Sequence, residues 1–392
     1  MALPIRSKAA ASLVGAVAIA LLTACSGGGT TDSAAVAGGD SGAVGTGVAY
    51  AKAQLKKYEV TRDAYGTPVP VPKPPDLHGK TVWYVPIGTG VPVLATIGTQ
   101  MQNALGRLGA SVHVCDGKFQ PTTIADCMNT AATQGASAVV TGFVDYASAP
   151  SAFQSLVGRG IPVLVGGVPV TGGAKPGRNL GFFDPSGLTQ QAFRLMSDAA
   201  IADSDGKAKA LVVKLTDSSV TTKNNDVGIE ELKQHCPKCE VTTVDTLTAD
   251  MSRLGSAISA KLAANPGIDY LILPQDAFLQ AALPGIQSAG FTNKLKVIAA
   301  GGTTAGLRAL KAGQLACNVG QGAVYNGWGF ADATVRLLAG APIQPENDGA
   351  IRVFTKDNVG GLDLSDANYN GTAWYGGDRW QRDFLTAWGV TS

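Results

Sequence analysis

The side chains best equipped for chemistry are the cysteines, and their spacing sorts them into groups. Cys115 closes an apolar, β-rich run and Cys127 falls in the helical pattern after it, an arrangement that suits a disulfide. Cys236-Pro237-Lys238-Cys239 fits a local disulfide, a redox pair or half of a zinc site. His235 is the only imidazole beside it and no second Cys-x-x-Cys completes a tetrahedral set, so no metal is expected. A thioredoxin-like pair precedes its helix, whereas this one follows a helical pattern, and a structural bridge is the expectation. Cys317 is left over as a buried thiol. Hydrolysis has less support still: His78, His113 and His235 stand beside no recognisable nucleophile and orienting acid, and no Gly-x-Ser-x-Gly occurs. The chain reads as a non-enzyme with no cofactor.

Binding has more to work with. Thr89 sits in Gly88-Thr89-Gly90 after the first β-rich run, and because a full Gly-x-Gly-x-x-Gly is absent the glycines read as a tight turn. Asp145 and Tyr146 end another run, Asp145 as a turn or cap residue and Tyr146 as an edge of a cleft. Only 6% of residues are aromatic, so their placement carries information. Trp380, Phe384 and Trp388 recur at helical spacing behind Asp378, which predicts a terminal helix packed on a lobe. Trp374, outside that stripe, and Trp328 are candidates to stack on a ligand, with burial in the core as the competing reading.

From Lys80 onward one unit repeats, an apolar β-rich run followed by a helical pattern, which is the signature of a parallel sheet covered on both faces. The predicted strands are 81–86, 111–115, 137–143, 161–165, 210–215, 240–244, 270–273 and 296–300. Four strand-helix units precede Asp184 and four follow it. The fold class is therefore α/β, two doubly wound parallel-sheet lobes, with the ligand expected beyond the carboxyl ends of the strands.

The N-terminus carries an address. Arg6 and Lys8 precede an apolar stretch from Ala9 to Leu22 that is too short to span a bilayer, then Leu22-Thr23-Ala24-Cys25. This resembles a bacterial lipoprotein signal with its lipobox, which implies cleavage before Cys25, lipid on that thiol and an extracytoplasmic, membrane-anchored protein. Residues 26–48 are Gly-, Ser- and Thr-rich and read as a flexible tether, and Pro68, Pro70, Pro72, Pro74 and Pro75 as a stiffer spacer. With 31 Lys and Arg against 29 Asp and Glu, the excess of +2 lies in Arg6 and Lys8. The neutral remainder offers no footprint for nucleic acid.

Residues 80–340 resemble the type I periplasmic solute-binding proteins, in the ribose-binding-like branch that serves sugar ABC importers. The marks are an opening strand, loop and helix ending in Leu108-Gly109-Ala110, Gly135-Ala136-Ser137-Ala138-Val139-Val140, and Gly160-Ile161-Pro162-Val163. Further along come Asn225-x-x-Gly228, Gln275-Asp276-Ala277 and Gln321 at a hinge position. The resemblance implies a hinged fold crossed near Asp184, Gln321 and Phe354. The expected division is a signal over 1–24, tether and spacer over 25–77, one lobe from 78–184 plus 322–353, and the other from 185–321 plus 354–392. It also implies a monomer that delivers a small molecule to an ABC permease; a sensor for a membrane receptor would use the same cleft. The family's ring-stacking aromatics fall on Val93 and Leu94, its sugar-gripping aspartates on Gly167 and Gly301, and its arginines on Val168 and Asn225. Asn225, Gln275, Asp276 and Gln321 keep polar character at contact positions. A buried hydroxyl left unpaired costs about 1–3 kcal/mol, so the ligand is expected to be either a different sugar-like molecule or something bulkier and less polar.

Overall fold

The computed structural model describes residues 39–62, 65–345, 349–365, 368 and 371–390. Cys25 and the apolar stretch before it lie outside the described residues. The first lobe is built on β1 (Thr81–Pro86), α2 (Pro92–Gly106), β2 (Ser111–Val114), α3 (Pro121–Thr133), β3 (Ala138–Gly142), α4 (Pro150–Gly158), β4 (Val163–Gly166) and β5 (Leu180–Phe183), preceded in the chain by α1 (Gly39–Glu59). The second comprises α5 (Ser186–Asp203), β6 (Lys209–Leu215), α6 (Ser219–His235), β7 (Glu240–Thr246), α7 (Leu254–Ala264), β8 (Tyr270–Leu273), α8 (Leu279–Ser288), β9 (Lys296–Gly301), α9 (Thr304–Lys311) and β10 (Cys317–Gln321). Then follow α10 (Ala323–Ala339), β11 (Ile351–Phe354), α11 (Lys356–Val359) and α12 (Arg379–Ala387).

The first sheet runs β2-β1-β3-β4-β5, parallel throughout, with Val82 opposite Ala138 and Val140 opposite Leu164. The second runs β11-β10-β9-β8-β6-β7, parallel except where β11 joins β10. Successive strand side chains point to opposite faces, so each sheet divides its apolar residues between two helical layers. In the first lobe Tyr84, Val140 and Leu164 meet Ile97, Met101 and Phe330 on one side, while Trp83, Val85 and Val139 meet Met128 and Phe153 on the other. Each residue such as Leu164, wholly buried, contributes roughly 1.5–3 kcal/mol. Disulfides join Cys115 to Cys127 and Cys236 to Cys239, and Cys317 is buried and free.

Three features differ from the expectations. The tether expected over 26–48 is helix from Gly39, and α1 docks on the second lobe, with Ala51 buried in its core and Tyr50 stacked on His235 at 3.9 Å. The prolines do not make a free spacer: Val71 and Leu77 are buried in the core, and the Val71 amide donates to the Ala387 carbonyl at 2.8 Å. Residues 351–353, placed with the first lobe from sequence, form with Phe354 the edge strand of the second sheet, so the third crossing comes before it. Its Arg352 is buried because the guanidinium donates to the carbonyls of Trp374, at 2.7 Å, and Glu59, at 3.3 Å.

The tail packs as the aromatic stripe predicts. Trp328 on α10 stacks on Trp388 (5.7 Å, 9°) and meets Trp380 edge-on. Asp332 accepts from Trp388 Nε1 at 2.8 Å and from Arg336 Nε at 2.6 Å, and Arg336 donates onward to the Val69 carbonyl. The linker and tail therefore run side by side between the lobes, joined by the Arg62 amide to the Tyr375 carbonyl (3.0 Å) and by Tyr65 Oη to the same oxygen (2.9 Å).

Candidate functional site

A helix that follows a parallel strand starts at the sheet's carboxyl edge, and both principal crossings use this rule. β5 of the first sheet feeds α5 of the second lobe, and β10 of the second sheet feeds α10 of the first. The carboxyl edges of both sheets consequently meet at the hinge, where open α/β sheets take their ligands. Val220, in the first turn of α6, packs into the first lobe's core cluster and marks where the lobes touch.

Several expected residues come together on these edges. Thr89 lies in the β1–α2 loop, half-buried, its amide donating to Asp116 Oδ1 at 2.9 Å. Gly167 directly follows β4, and Gly301 ends β9, both with positive φ. Asn225 is buried, with Nδ2 donating to the Thr221 carbonyl at 2.6 Å and the Leu215 carbonyl at 3.3 Å. It borders an internal cavity of about 10 Å³ with Phe193, Met196 and Pro274. Gln275 is half-buried at the end of β8, and Gln321 Oε1 accepts from Thr189 Oγ1 at 3.0 Å at the β10–α10 crossing.

Asp276 is sunk beneath the β9–α9 turn. Its Oδ2 accepts from the Thr303 amide and from Asn318 Nδ2, both at 2.9 Å, and Asn318 Oδ1 takes the Gly302 amide. Burial pushes its pKa up against those donors. Neither reading of this residue, cap of the turn it opens or ligand contact, is what these bonds describe: its own turn has no side-chain cap bond, and the carboxylate instead holds the amide of Thr303, the residue that caps α9.

Other expected residues lie elsewhere. Tyr146 is buried and stacks on Phe153 at 4.9 Å, because the 3-10 turn it opens folds the ring back onto α4. Trp328 is held in the tail cluster described above. Trp374 is buried with Nε1 donating to the Asp363 carbonyl at 3.0 Å. Leu94 is core, and Val93 packs against it, so the positions of the family's aromatics are filled here by helix-packing aliphatics.

The acceptor side of the site is under-supplied. Asp145 Oδ1, Thr171 Oγ1, Asn224 Oδ1, Asn225 Oδ1 and Asp276 Oδ1 are buried with no hydrogen-bond partner among the described residues. Burial raises the Asp145 pKa. Asn224 shares the helical face of Val220 (i, i+4), the face that meets the first lobe. None of the three histidines lies in these loops; His113 packs on Trp83 at 4.1 Å. The arrangement offers oxygens to a guest's hydroxyls and no nucleophile with a base.

Sequence reasoning missed two aromatic residues. Phe119 and Phe143 follow β2 and β3 with φ of 57° and 59°, a left-handed backbone that bulky side chains rarely adopt. Each ring lies on a glycine at a strand end: a Cβ on Gly88 would fall 2.3 Å from Phe119, and one on Gly167 would fall 2.7 Å from Phe143. The only signal was for Phe143, an aromatic residue directly after a strand; Phe119 stands five residues beyond β2 and had none.

The periplasmic binding protein domain family matches residues 82–342. No curated protein matches the chain. Among solved structures, the 5-methylthioribose transporter solute-binding protein of Thermotoga lettingae is 15% identical, over 80% of this chain and 99% of that one, with a TM-score of 0.64. The myo-inositol-binding protein of Caulobacter is 19% identical, over 71% and 94%, with a TM-score of 0.61. A Mycobacterium smegmatis protein in complex with β-D-fucofuranose is 17% identical, over 76% and 98%, with a TM-score of 0.61. At these identities the likeness concerns the fold.

Proposed function

The chain belongs to the periplasmic binding protein family, and from that premise we propose that it captures a sugar or sugar-like small molecule between its lobes and delivers it to an ABC permease, as a monomer held at the membrane by lipid on Cys25. The observation that carries this reading is the set of buried, unpartnered oxygens on both carboxyl edges. A buried acceptor without a donor costs about 1–3 kcal/mol, and a polyhydroxylated guest supplies donors in number. The solved relatives crystallised with 5-methylthioribose, myo-inositol and fucofuranose support the same ligand class. Thr89, Gly167, Asn225, Gln275, Gly301 and Gln321 are proposed to line the site, with Asp276 shaping the turn behind Gly301.

Mass spectrometry of whatever the purified protein releases on denaturation, followed by thermal-shift titration with a sugar and polyol panel, tests the ligand class. The expected result is a saturable upward shift with a polyol. Release of no polyhydroxylated molecule together with no shift would overturn it. Replacement Cys25→Ser is expected to move the protein from the membrane to the soluble fraction, and unchanged membrane association would remove the lipid anchor.

A further inference from the structure

We infer that the first-lobe wall of the cleft is an aromatic platform formed by Phe119 and Phe143, and that the ligand is a sugar carrying an apolar or planar substituent. This rests on the reading of the cleft as a sugar site and names the class of guest. Four described non-glycine residues have positive φ, namely Lys118, Phe119, Phe143 and Asp205, and the first three follow β2 and β3 on the ligand edge of one lobe. Glycine or asparagine meets such a backbone without penalty, whereas a phenylalanine is strained there. Core packing does not account for Phe119, whose side of the loop leaves the residue 45% exposed.

Both rings are also seated deliberately. The ring of Phe119 lies against Gly88 in the loop of Thr89, and any side chain at 88 would displace it. The loop is pinned underneath by Asp116 Oδ1, which accepts the amides of Thr89 and Lys118, and by the Phe119 amide donating to the Ile87 carbonyl at 2.7 Å. Phe143 covers Gly167 and has Phe330 behind it at 6.4 Å. Exposed large apolar residues concentrate on the same edges: Val114 ends β2, Val170 (49% exposed) follows β4 and Leu247 (41% exposed) follows β7 of the facing lobe. A fully hydroxylated sugar has little use for that much carbon, while the unpartnered oxygens beside it still ask for hydroxyls. A guest with one hydroxylated end and one apolar or flat end satisfies both.

The test uses matched probes on the full folded chain: glucose, galactose and ribose, each beside its phenyl β-glycoside, by isothermal titration. At least one phenyl glycoside is expected to bind about tenfold or more tightly than its parent, the scale of one aromatic contact. Phe119→Gly should erase most of that preference while the unliganded protein melts no lower, since the variant removes both the ring and the strained backbone. If a parent sugar binds as tightly as its glycoside and Phe119→Gly changes neither, the platform is refuted and the sugar reading stands. Saturable binding by none of the six probes overturns both.

Discussion

Asp198 on α5 is fully buried, and neither carboxylate oxygen has a hydrogen-bond partner among the described residues. Burial, and then the charge of Glu231 on α6, push its pKa from 3.8 up to about 8, against the pull of Arg194 one turn away. Glu231 lies 3.6 Å from both Arg194 Nε and His235 Nε2, and Tyr50 of α1 covers His235. The native state at neutral pH thus holds a proton that the unfolded chain has lost. Below pH 3.8 both states are protonated and the group contributes nothing to the difference; above it the unfolded state binds fewer protons, so stability falls as pH rises until about 8. Each unit costs at most about 1.4 kcal/mol, and from pH 4 to pH 7 the sum reaches an upper bound of about 4 kcal/mol. Asp198→Asn keeps the shape and removes the titration. Urea unfolding followed by tryptophan fluorescence should find the two proteins matched near pH 4 and the variant more stable by about 2–4 kcal/mol at pH 7. A difference that stays constant from pH 4 to pH 7 would refute this account of the buried acid.

Three further outcomes follow from the packing. Trp388→Ala removes a fully buried ring stacked on Trp328 and the donor to Asp332, and should cost about 3–5 kcal/mol in urea unfolding. Replacing Cys115 and Cys127 together by serine opens a loop of sequence separation 12 and should lower stability by about 3 kcal/mol in urea unfolding. Gly306→Ala places a Cβ 1.9 Å from Asp276 Oδ2, so it should expel that carboxylate from its donors and lower stability by about 1–3 kcal/mol. In a double-mutant cycle with Asp276→Ser the second loss should largely disappear.

Where an element was legible, its sequence carried its own reason for folding. Thr81–Pro86 and Tyr270–Leu273 are uninterrupted apolar runs between turn signals, and both strands keep the boundaries read from them. β5, β10 and β11 escaped because Gly181, Asn318 with Gly320, and Arg352 break the apolar pattern. The two polar breaks are compensated by residues far along the chain: Asn318 by Asp276, and Arg352 by carbonyls of Glu59 and Trp374. The helix α1 was hidden by four glycines in its first half, since its stability comes from docking on α5 and α6 and not from propensity. The site was legible as a place, the carboxyl edges, and only partly as residues. Nothing local distinguishes a tryptophan that packs, such as Trp328, from one that stacks on a guest. The left-handed backbone of Phe119 and Phe143 belongs to turns whose partners, Gly88 and Gly167, are distant in sequence.

The route of the chain at its two ends has a practical corollary. α1 rides on the second lobe, through Ala51 and Tyr50, whereas α12 rides on the first, through Trp328 and Asp332. Fluorophores attached to exposed positions of these two helices would therefore report any reorientation of one lobe against the other as a change in energy transfer, with no label near the ligand.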